Sequence, residues 1–348
     1  MEFANTIISW FRENGRALPW RETHDPYAIW LSEIILQQTR IAQGLEYWER
    51  FMAQYPTVEE LASASEDEVL KLWQGLGYYS RARNLHAAAK QIVALGKFPD
   101  TLESIKSLKG VGDYTAAAIG SFAFDIPAAV VDGNVYRVLS RYFGIDTPIN
   151  STQGKKEFAA LAQSLIPTSH SAYNQGMMDF GAIQCTPQSP KCMICPLAET
   201  CEALRSGKVS ELPVKEKKLK VQTRHLTYIY IRCNEEASVN GEQAEPMIAI
   251  HRRGKGDIWQ GLWEPYNASD LSELPTFDAP LVLKAKGVKH VLTHRILLAD
   301  FYLLETKKRP LLPDDYIWIK ESELSDYGIP RLIEILLEKL PSLPLNFH

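Results

Sequence analysis

The sequence predicts two domains, a mainly helical body over residues 1–204 and an α/β domain over 225–348, joined by a basic linker over 205–224. Three observations support this division. The chain has 348 residues, which is more than a typical single domain. Helical patterning ends near the last cysteine of the body, and β-rich runs such as HLTYIYIRC and HRILLADFYLLE follow it. The linker between the two patterns holds seven basic residues and two glutamates.

Helix start signals recur along the body. Caps or capping boxes are predicted at three pairs of residues: Asp25–Pro26, Thr57–Glu60 and Ser65–Glu68. The stretch LKGVGDYTAAAIG predicts a short helix, a tight turn on Gly110 and Gly112, and a second helix. In the C-terminal domain, IPRLIEILLEKL predicts one late amphipathic helix.

Composition and charge exclude few classes of function. The chain is 45% apolar and 23% charged, as globular proteins are. Its apolar runs stop short of the ~18 residues of a membrane span, and its first residues lack the basic region of a signal peptide. A cytoplasmic protein is therefore the expectation. The net charge of −4 does not favour a nucleic-acid partner, but basic clusters in the linker and in YYSRARNLHAAAK keep one open.

Four of the five cysteines fall within seventeen residues, spaced C-x6-C-x2-C-x5-C: Cys185, Cys192, Cys195 and Cys201. A reducing cytoplasm disfavours disulfides, so this pattern predicts a metal site. Zinc sites usually pair two close knuckles across a longer gap, whereas four thiolates from one continuous segment suit an iron–sulfur cluster. The spacing favours iron–sulfur and leaves zinc as the alternative. Cys233 lies in a strand-like run and is predicted to be core.

Two carboxylates lie in unusual settings. Glu33 lies in AIWLSEIILQQT, where Ile29, Trp30 and Leu36 share its helix face. An apolar setting raises the pKa of a carboxyl, as a general acid working near neutral pH requires; a glutamate at the helix rim is the plainer alternative. Asp132 follows an apolar run in AAVVDGNVYRV and also has the features of a helix cap.

Taken together, these segments resemble the helix-hairpin-helix DNA glycosylases with an iron–sulfur cluster, the endonuclease III superfamily, and within it the adenine DNA glycosylases (MutY type). The matching segments cover nearly all of 5–205 in the family's order: LPWR, WLSEIILQQTR, WQGLGYYSRARNL, LKGVGDYTAAAI, VDGNVYRV, NQGMMDFGAIQC and the four-cysteine loop. A single hairpin motif is a weak signal, but this ordered set is specific. The resemblance implies one 4Fe-4S cluster held by the four cysteines.

The resemblance also implies an architecture and an activity. A six-helix barrel domain with the helix-hairpin-helix would span 23–128, an iron–sulfur cluster domain 1–22 and 129–204, and a Nudix-like domain 225–348. The implied activity is hydrolysis of the N-glycosidic bond of adenine mispaired with 8-oxoguanine or G in double-stranded DNA. The protein would act as a monomer without a membrane, in the cytosol, and would leave an abasic site without cutting the strand.

Family roles transfer to particular residues. An enzyme that acts on a base inside a duplex must flip the nucleotide out. Glu33 matches the acid that protonates N7 of adenine, and Asp132 matches the carboxylate that stabilises positive charge on the sugar, with Tyr114 and Asn134 beside the sugar. The remaining matches are the adenine pocket, the residues that wedge into the base stack and the phosphate-binding turn: Leu18, Trp20, Arg21 and Gln175; Gln38 and Tyr78; Gly110, Val111 and Gly112.

The C-terminal domain resembles the Nudix-like domain of adenine glycosylases, and GLWEPY and HVLTHRILLADFY carry the likeness. Because adenine is a normal base, this domain is expected to recognise the opposite 8-oxoguanine, through Thr293 and His294. The family loop usually runs Phe-Ser-His, whereas this chain has Leu292, Thr293 and His294. The glutamate-rich helix of a Nudix pyrophosphatase does not follow GLWE, so the sequence predicts a reader and not a hydrolase.

Two other functions remain open from the sequence. A bifunctional glycosylase/lyase for oxidised pyrimidines would have a nucleophilic lysine in place of Tyr114 and no C-terminal reader. A non-catalytic DNA-binding module with a structural metal would leave the apolar setting of Glu33 unexplained.

Overall fold

The computed structural model describes residues 2–216, 221–234, 245–268, 277 and 279–340. The chain divides into two compact units. The first comprises Met1–Ser63 and Asn84–Lys218, and the second comprises Ala64–Arg83 and Leu219–His348. Part of the predicted linker, residues 217–220, lies outside the described residues.

The first unit is helical, as the sequence predicts. Its helices are α1 (Glu2–Asn14), α2 (Pro26–Leu36), α3 (Ile41–Gln54), α4 (Val58–Ser63), the larger part of α6 (Ser80–Leu95), α7 (Leu102–Lys106), α8 (Asp113–Ala123), α9 (Gly133–Phe143), α10 (Thr152–Ser164), α11 (His170–Asp179) and α12 (Glu202–Arg205). Short 3-10 turns cover Pro19–Arg21, Cys192–Ile194 and Ala198–Thr200, and a π-helical turn covers Phe180–Gln184.

The predicted caps form where the sequence places them. Asp25 precedes α2, and its side chain accepts a hydrogen bond from the N–H of Tyr27. Thr57 and Glu60 bond each other reciprocally at the start of α4, with N···O distances of 3.0 and 3.3 Å. Each cap satisfies donors that the first helical turn leaves without a partner.

One core of the first unit lies between α1 and the helices α9 to α11. Phe3, Ile7, Leu139, Phe158 and Phe180 are among its buried side chains. The two helices α1 and α11 approach closely because α11 has a glycine at the crossing, where a Cβ would come within 3.0 Å of the α1 side chain. This packing fixes α9 and α11, which carry several of the predicted site residues.

The second unit is built on a mixed sheet. Its strands are β1 (Gln222–Cys233), β2 (Met247–Arg252), β3 (Trp263–Glu264), β4 (Tyr266–Ala268), β5 (Val282–Val291), β6 (Arg295–Thr306) and β7 (Tyr316–Lys320). The described strands have the order β3-β2-β1-β6-β5, with β4 paired to β1 and β7 to β2. β1 and β6 run parallel, and the other pairs are antiparallel.

Side chains of β1 alternate between two buried faces of this sheet. Tyr228 and Tyr230 point to one face, which is covered by α13 (Arg331–Leu337), the predicted late helix. Ile229 and Ile231 point to the other face and pack with aromatic residues of β4 and β7. Cys233 is buried at the end of β1, as predicted. The predicted fold class, a helical body with a C-terminal α/β domain, is confirmed.

One boundary differs from the prediction. Residues 64–83, which hold α5 (Glu66–Leu72) with its Ser65–Glu68 capping box, group with the C-terminal sheet and not with the helical body. The start of the predicted linker is also bound to the first unit. Its Leu212 accepts a hydrogen bond from Arg141, and its Val214 accepts one from the N–H of Ile149. Sequence patterning reports local structure, and these assignments depend on contacts between segments distant in sequence.

Among the described residues, no helix has the length and apolar character needed to cross a bilayer.

Candidate active site and cysteine loop

Glu33 is a buried carboxyl. It lies on α2, whose side chains are buried around nearly the whole helix, and only 6% of Glu33 is exposed. Burial raises the pKa of Glu33 to about 7; the hydrogen bond with Tyr114 opposes the rise, and the charge of Asp132 adds to it. A carboxyl with this pKa carries a proton at neutral pH for a large fraction of the time, as a general acid requires.

Asp132 lies at the N-terminus of α9 and acts as its cap. One carboxylate oxygen accepts from the N–H groups of Asn134 and Val135, both at 2.8 Å, and the other accepts from the Asn134 side chain at 2.7 Å. Burial raises the pKa of Asp132, and these hydrogen bonds lower it again in part. The residue is therefore both a helix cap and an oriented carboxylate beside Glu33.

Tyr114 joins these carboxyls in one cluster. Its hydroxyl is hydrogen-bonded to Glu33, and burial together with the charges of Glu33 and Asp132 raises the pKa of Tyr114 well above its usual value. Tyr114 lies in the first turn of α8, and its ring packs against a cluster formed by Ala117, Ala118, Ala128 and Val130. The structure brings Glu33, Asp132, Tyr114 and Asn134 together, as predicted. Their roles in a reaction stay a prediction.

A cavity of about 80 Å³ opens beside Glu33. Of its lining residues, five were predicted as site residues: Leu18, Trp20, Arg21, Glu33 and Gln175. The 3-10 turn Pro19–Arg21 presents Trp20 and Arg21, and α11 presents Gln175. The cavity is small and is lined by both apolar and polar side chains, a combination that suits a flat heteroaromatic ring.

Asp179, which no local sequence pattern marks, bonds to two residues that line this cavity, Arg16 and Arg21. It is fully buried and accepts hydrogen bonds from Arg21 at 2.8 and 2.9 Å, from the side chain of Arg16 at 2.9 Å and from the Arg16 N–H at 2.9 Å. Burial alone would raise the pKa of Asp179, but its bonds to Arg21 and Arg16 outweigh burial and lower the pKa to about 2. Its place inside NQGMMDFGAIQC, a segment that carries the family resemblance, was the available signal.

The glycine turn has two different glycines. Gly110 has φ +78°, and a Cβ there would lie 2.7 Å from Cβ of Asn84, so only glycine fits. Gly112 has an extended backbone with open space around it, and it precedes α8 with no side-chain cap. The Val111 N–H donates to the carbonyl of Leu108 at 3.1 Å. Because this N–H already has a partner, Gly110 and Gly112 are the better candidates to donate to a phosphate.

Gln38 lies just after α2 with a left-handed backbone, φ +57°. Non-glycine residues adopt this conformation rarely, and such strain is found more often at functional positions. The geometry agrees with a residue that projects from the protein, and its role as a wedge in DNA stays a prediction.

The four clustered cysteines line one cavity of about 30 Å³, together with Arg141. Arg141 donates to Cys185 Sγ at 3.4 Å and to the carbonyl of Thr186 at 2.7 Å. Burial raises the pKa of the Cys192 and Cys195 thiols, and the neighbouring cysteines add to the rise. A bound metal would therefore be needed to hold these side chains as thiolates. Four sulfurs around one cavity with a cation beside them fit an iron–sulfur cluster.

A chain of hydrogen bonds links the cysteine loop to the candidate active site. Arg137 donates to the carbonyl of Cys185 at 2.7 Å and to the side-chain oxygen of Asn134 at 2.8 Å. Asn134 in turn donates to Asp132. Gly181 lies at the same point, where a Cβ would collide with Asn134. The cysteine loop is therefore connected to Asp132 through Arg137 and Asn134.

The predicted reader residues lie in the second unit. Thr293 and His294 form the turn between β5 and β6, and the Tyr78 hydroxyl lies 2.5 Å from the Thr293 hydroxyl. Tyr78 is 47% exposed and has φ +48°. Both groups line a cleft of about 670 Å³ with Trp259 and His290. Tyr78 and Thr293, 215 positions apart, are thus brought together.

Three family models match the chain in order. They are the HhH-GPD superfamily of base excision DNA repair proteins over 31–167, the iron–sulfur binding domain of endonuclease III over 185–201, and the NUDIX domain over 237–339. The iron–sulfur match agrees with the cysteine spacing and confirms a 4Fe-4S cluster as the cofactor over zinc.

Solved structures agree with this fold. A thermostable thymine-DNA glycosylase is 33% identical, with a TM-score of 0.55 over 59% of this chain and 96% of its own. A trapped endonuclease III–DNA covalent intermediate, 24% identical with a TM-score of 0.52, covers 59% of this chain and 95% of its own and supports the fold alone.

Curated relatives carry one description, adenine DNA glycosylase. The mouse protein is 42% identical over 226 residues, and a Buchnera aphidicola protein (strain Bp) is 39% identical over 220 residues. The chain spans 44% and 62% of these two relatives, which is less than two thirds of their length. A second Buchnera protein, from the Schizaphis graminum host, is 35% identical over 265 residues, which are 75% of this chain and 73% of that relative. On the ordered domains and this coverage, the chain belongs to the adenine DNA glycosylase family.

Proposed function

We propose that the protein is a monofunctional DNA glycosylase that removes adenine mispaired with 8-oxoguanine or G in base excision repair. The observation that carries this proposal is the buried Glu33, with a pKa raised to about 7, beside the carboxylate of Asp132, which caps α9. The relatives described as adenine DNA glycosylases support the choice of base.

Two carboxyls with different environments can divide the chemistry between them. Glu33 is the acid: its proton goes to N7 of adenine, and the electrons of the C1′–N9 bond leave with the base. The sugar gains oxocarbenium character, which the negative charge of the Asp132 carboxylate stabilises. Water then adds to C1′ and returns a proton to the Glu33 carboxylate, so the products are free adenine and an abasic site.

The flipped adenine would enter the cavity beside Glu33. Trp20 and Leu18 supply apolar walls, and Arg21 and Gln175 supply polar groups for the edge of the ring. Because Asp179 holds Arg21 by two hydrogen bonds, the arginine is positioned before the base arrives, which lowers the entropy cost of binding.

Tyr114 decides between a glycosylase and a lyase. A lysine at this position could attack C1′ and form a Schiff base that leads to strand cleavage, whereas a phenol cannot form an imine. The Tyr114 hydroxyl is hydrogen-bonded to Glu33 in this chain. Because Tyr114 offers no amine, water remains the final nucleophile. We therefore expect little strand scission unless alkali is added.

DNA would be bound through its backbone at the glycine turn and recognised through the second unit. The N–H groups of Gly110 and Gly112 precede α8, where an anion is favoured by the helix dipole. Gln38 and Tyr78 would enter the base stack, and the Thr293–His294 turn would contact 8-oxoguanine. Such contacts position DNA or recognise the lesion without reading the surrounding sequence.

The cluster has a supporting part in this proposal. Cys185, Cys192, Cys195 and Cys201 would hold it, and when bound it would fix the fold of the loop. Arg141 already donates to Cys185 and to the loop backbone. We propose a monomer that works in the cytosol, with the domain limits given by the sequence, apart from residues 64–83.

The deciding experiment compares three duplexes under single-turnover conditions: A opposite 8-oxoguanine, A opposite G, and one carrying thymine glycol. We expect excision of adenine from the first two, faster from the first, and an abasic product with an intact strand. Removal of thymine glycol with borohydride-trappable adduct would show instead a bifunctional glycosylase/lyase. Binding of all three without excision would leave only a DNA-binding module.

A further inference from the structure

Residues 64–83 are part of the C-terminal unit although about 140 residues separate them from it in sequence. They contain α5 and, six residues after the end of α5 at Leu72, Tyr78, which contacts Thr293. The position of Tyr78 at the Thr293 turn therefore depends on how this segment is attached to the sheet.

Arg252, the last residue of β2, provides that attachment. Its Nη2 lies 3.0 Å from Oε1 of Glu66 and 2.9 Å from Oδ1 of Asp67, both in the first turn of α5. Its Nε donates to the carbonyl of Gly261 at 3.1 Å. One guanidinium thus joins β2, the turn at Gly261 and the start of α5, using the planar fork that a lysine lacks.

A second arginine, Arg83, also donates a hydrogen bond to the turn at Gly261. Arg83, at the end of the segment, donates to the carbonyl of Gln260 at 2.5 Å. Gly261 has φ +84°, and a Cβ there would lie 3.2 Å from Leu70 and 3.3 Å from Glu66. The turn therefore packs tightly against side chains of α5, and arginines from both segments bond to successive carbonyls.

Displacement of α5 would be transmitted to Tyr78. The indole of Trp73, which follows α5 directly, donates to the carbonyl of Gly77 at 3.0 Å. Tyr78 comes next, with a left-handed backbone that an aromatic residue adopts only when its surroundings impose it. The hydrogen bond from Trp73 to Gly77 therefore connects the end of α5 with the residue before Tyr78.

We propose that Arg252 is a positioning residue for recognition of 8-oxoguanine: by anchoring α5 to the sheet it holds Tyr78 at Thr293. This inference rests on the proposed function. Arg252 has no part in the chemistry at Glu33, so its loss changes the preference for the opposite base and not the basal rate.

The test measures single-turnover excision of adenine opposite 8-oxoguanine and opposite G. Arg252→Ala is expected to lower the ratio of the two rates about three- to fivefold, the upper part of the range for exposed ion pairs, and to leave the rate opposite G unchanged. Lys255→Ala is the matched control, because it removes one exposed cation from the same domain three residues away. It should leave the ratio unchanged.

A second variant reaches the same contact from α5. Glu66→Gln with Asp67→Asn should lower the ratio as Arg252→Ala does, and the triple variant should be no worse than either. A role confined to stability would shift the unfolding midpoint but not the ratio. The wild-type ratio in Arg252→Ala, or additive losses in the triple variant, would overturn the anchor alone. A wild-type protein with no preference for 8-oxoguanine would overturn the proposed function and the anchor with it.

Discussion

Glu33 and Tyr78 are assigned to one reaction, but their surroundings are opposite. Glu33 is 6% exposed, on a helix buried on nearly all sides, whereas Tyr78 is 47% exposed at a surface turn. Acid chemistry at neutral pH needs a carboxyl that burial keeps protonated. Recognition of a lesion needs a group that DNA can reach. Each environment is unsuitable for the other task.

The two regions also differ in how their positions are fixed. Around Glu33, orientation comes from buried, charged hydrogen bonds such as those of Asp179 with Arg21 and of Asp132 with α9. At the reader, Tyr78 is held by exposed contacts, the anchor of Arg252 among them. Buried charged bonds are strong and costly to break, while exposed ion pairs contribute little individually. Substitutions should therefore have large effects at the first region and small ones at the second.

The largest effect is expected for Glu33→Gln. The amide keeps the size of the side chain but cannot supply the proton, so excision should fall about 10²–10⁴-fold. Binding to the lesion duplex should survive, since Glu33 does not hold the DNA backbone. Single-turnover rates and a binding titration measure the two quantities, and excision within a few-fold of wild type would contradict the role of Glu33.

Asp179→Asn should lower the free energy of unfolding by about 3 kcal/mol. The substitution leaves Arg16 and Arg21 without the buried carboxylate that pairs with both. Denaturant unfolding measures the loss. Asp113→Asn is the control, since that aspartate pairs with Lys106 at the surface and should change stability by less than ~1 kcal/mol. Equal losses at the two positions would remove the contrast between buried and exposed charges.

Because the pKa of Glu33 is raised, both the excision rate and the unfolding free energy should depend on pH. Only the protonated acid donates, so above pH about 7 excision should fall roughly tenfold per pH unit. For stability, the folded pKa of Glu33 lies above its usual 4.5, so its contribution is complete below 4.5 and is lost as pH rises to about 7. The contribution of Asp179 is complete above 3.8 and is lost as pH falls to about 2. Stability of Glu33→Gln should lack the loss between 4.5 and 7; an unchanged profile would contradict the raised pKa.

Gly110→Ala should cost about 1–2 kcal/mol, because alanine is strained at φ +78° and collides with Asn84. Gly112→Ala meets open space with an extended backbone and should be nearly neutral for folding. If phosphate lies on this turn, both variants should weaken DNA binding. Thermal unfolding and binding isotherms separate the two effects, and full affinity in Gly112→Ala would place the phosphate elsewhere.

The smallest effect is expected for Tyr78→Phe, which removes only the hydroxyl that contacts Thr293. The preference for 8-oxoguanine over G should fall about threefold, as for a single exposed hydrogen bond. Paired excision rates on the two duplexes measure it. A loss as large as that of Glu33→Gln would mean that the reader and the active site are not energetically distinct.

Local signals in the sequence were sufficient for much of the candidate site. The cap at Asp25, the apolar neighbours of Glu33 and the cysteine spacing each reflect interactions within a few residues, and each is confirmed as structure. Asp179 was not found, because its meaning depends on Arg16 and Arg21, about 160 positions away. The grouping of residues 64–83 with the sheet was missed for the same reason.

The helical body and the β-rich C-terminal half follow from periodicity and caps, and the metal loop follows from cysteine spacing, because these signals act over one or two turns of chain. The family follows from the resemblance of the ordered set of segments. Folding decides which carboxyl is buried enough to hold a proton, which arginines Asp179 orients and which segment brings Tyr78 to Thr293. Burial and long-range ion pairs are properties of surfaces that meet when the chain has folded.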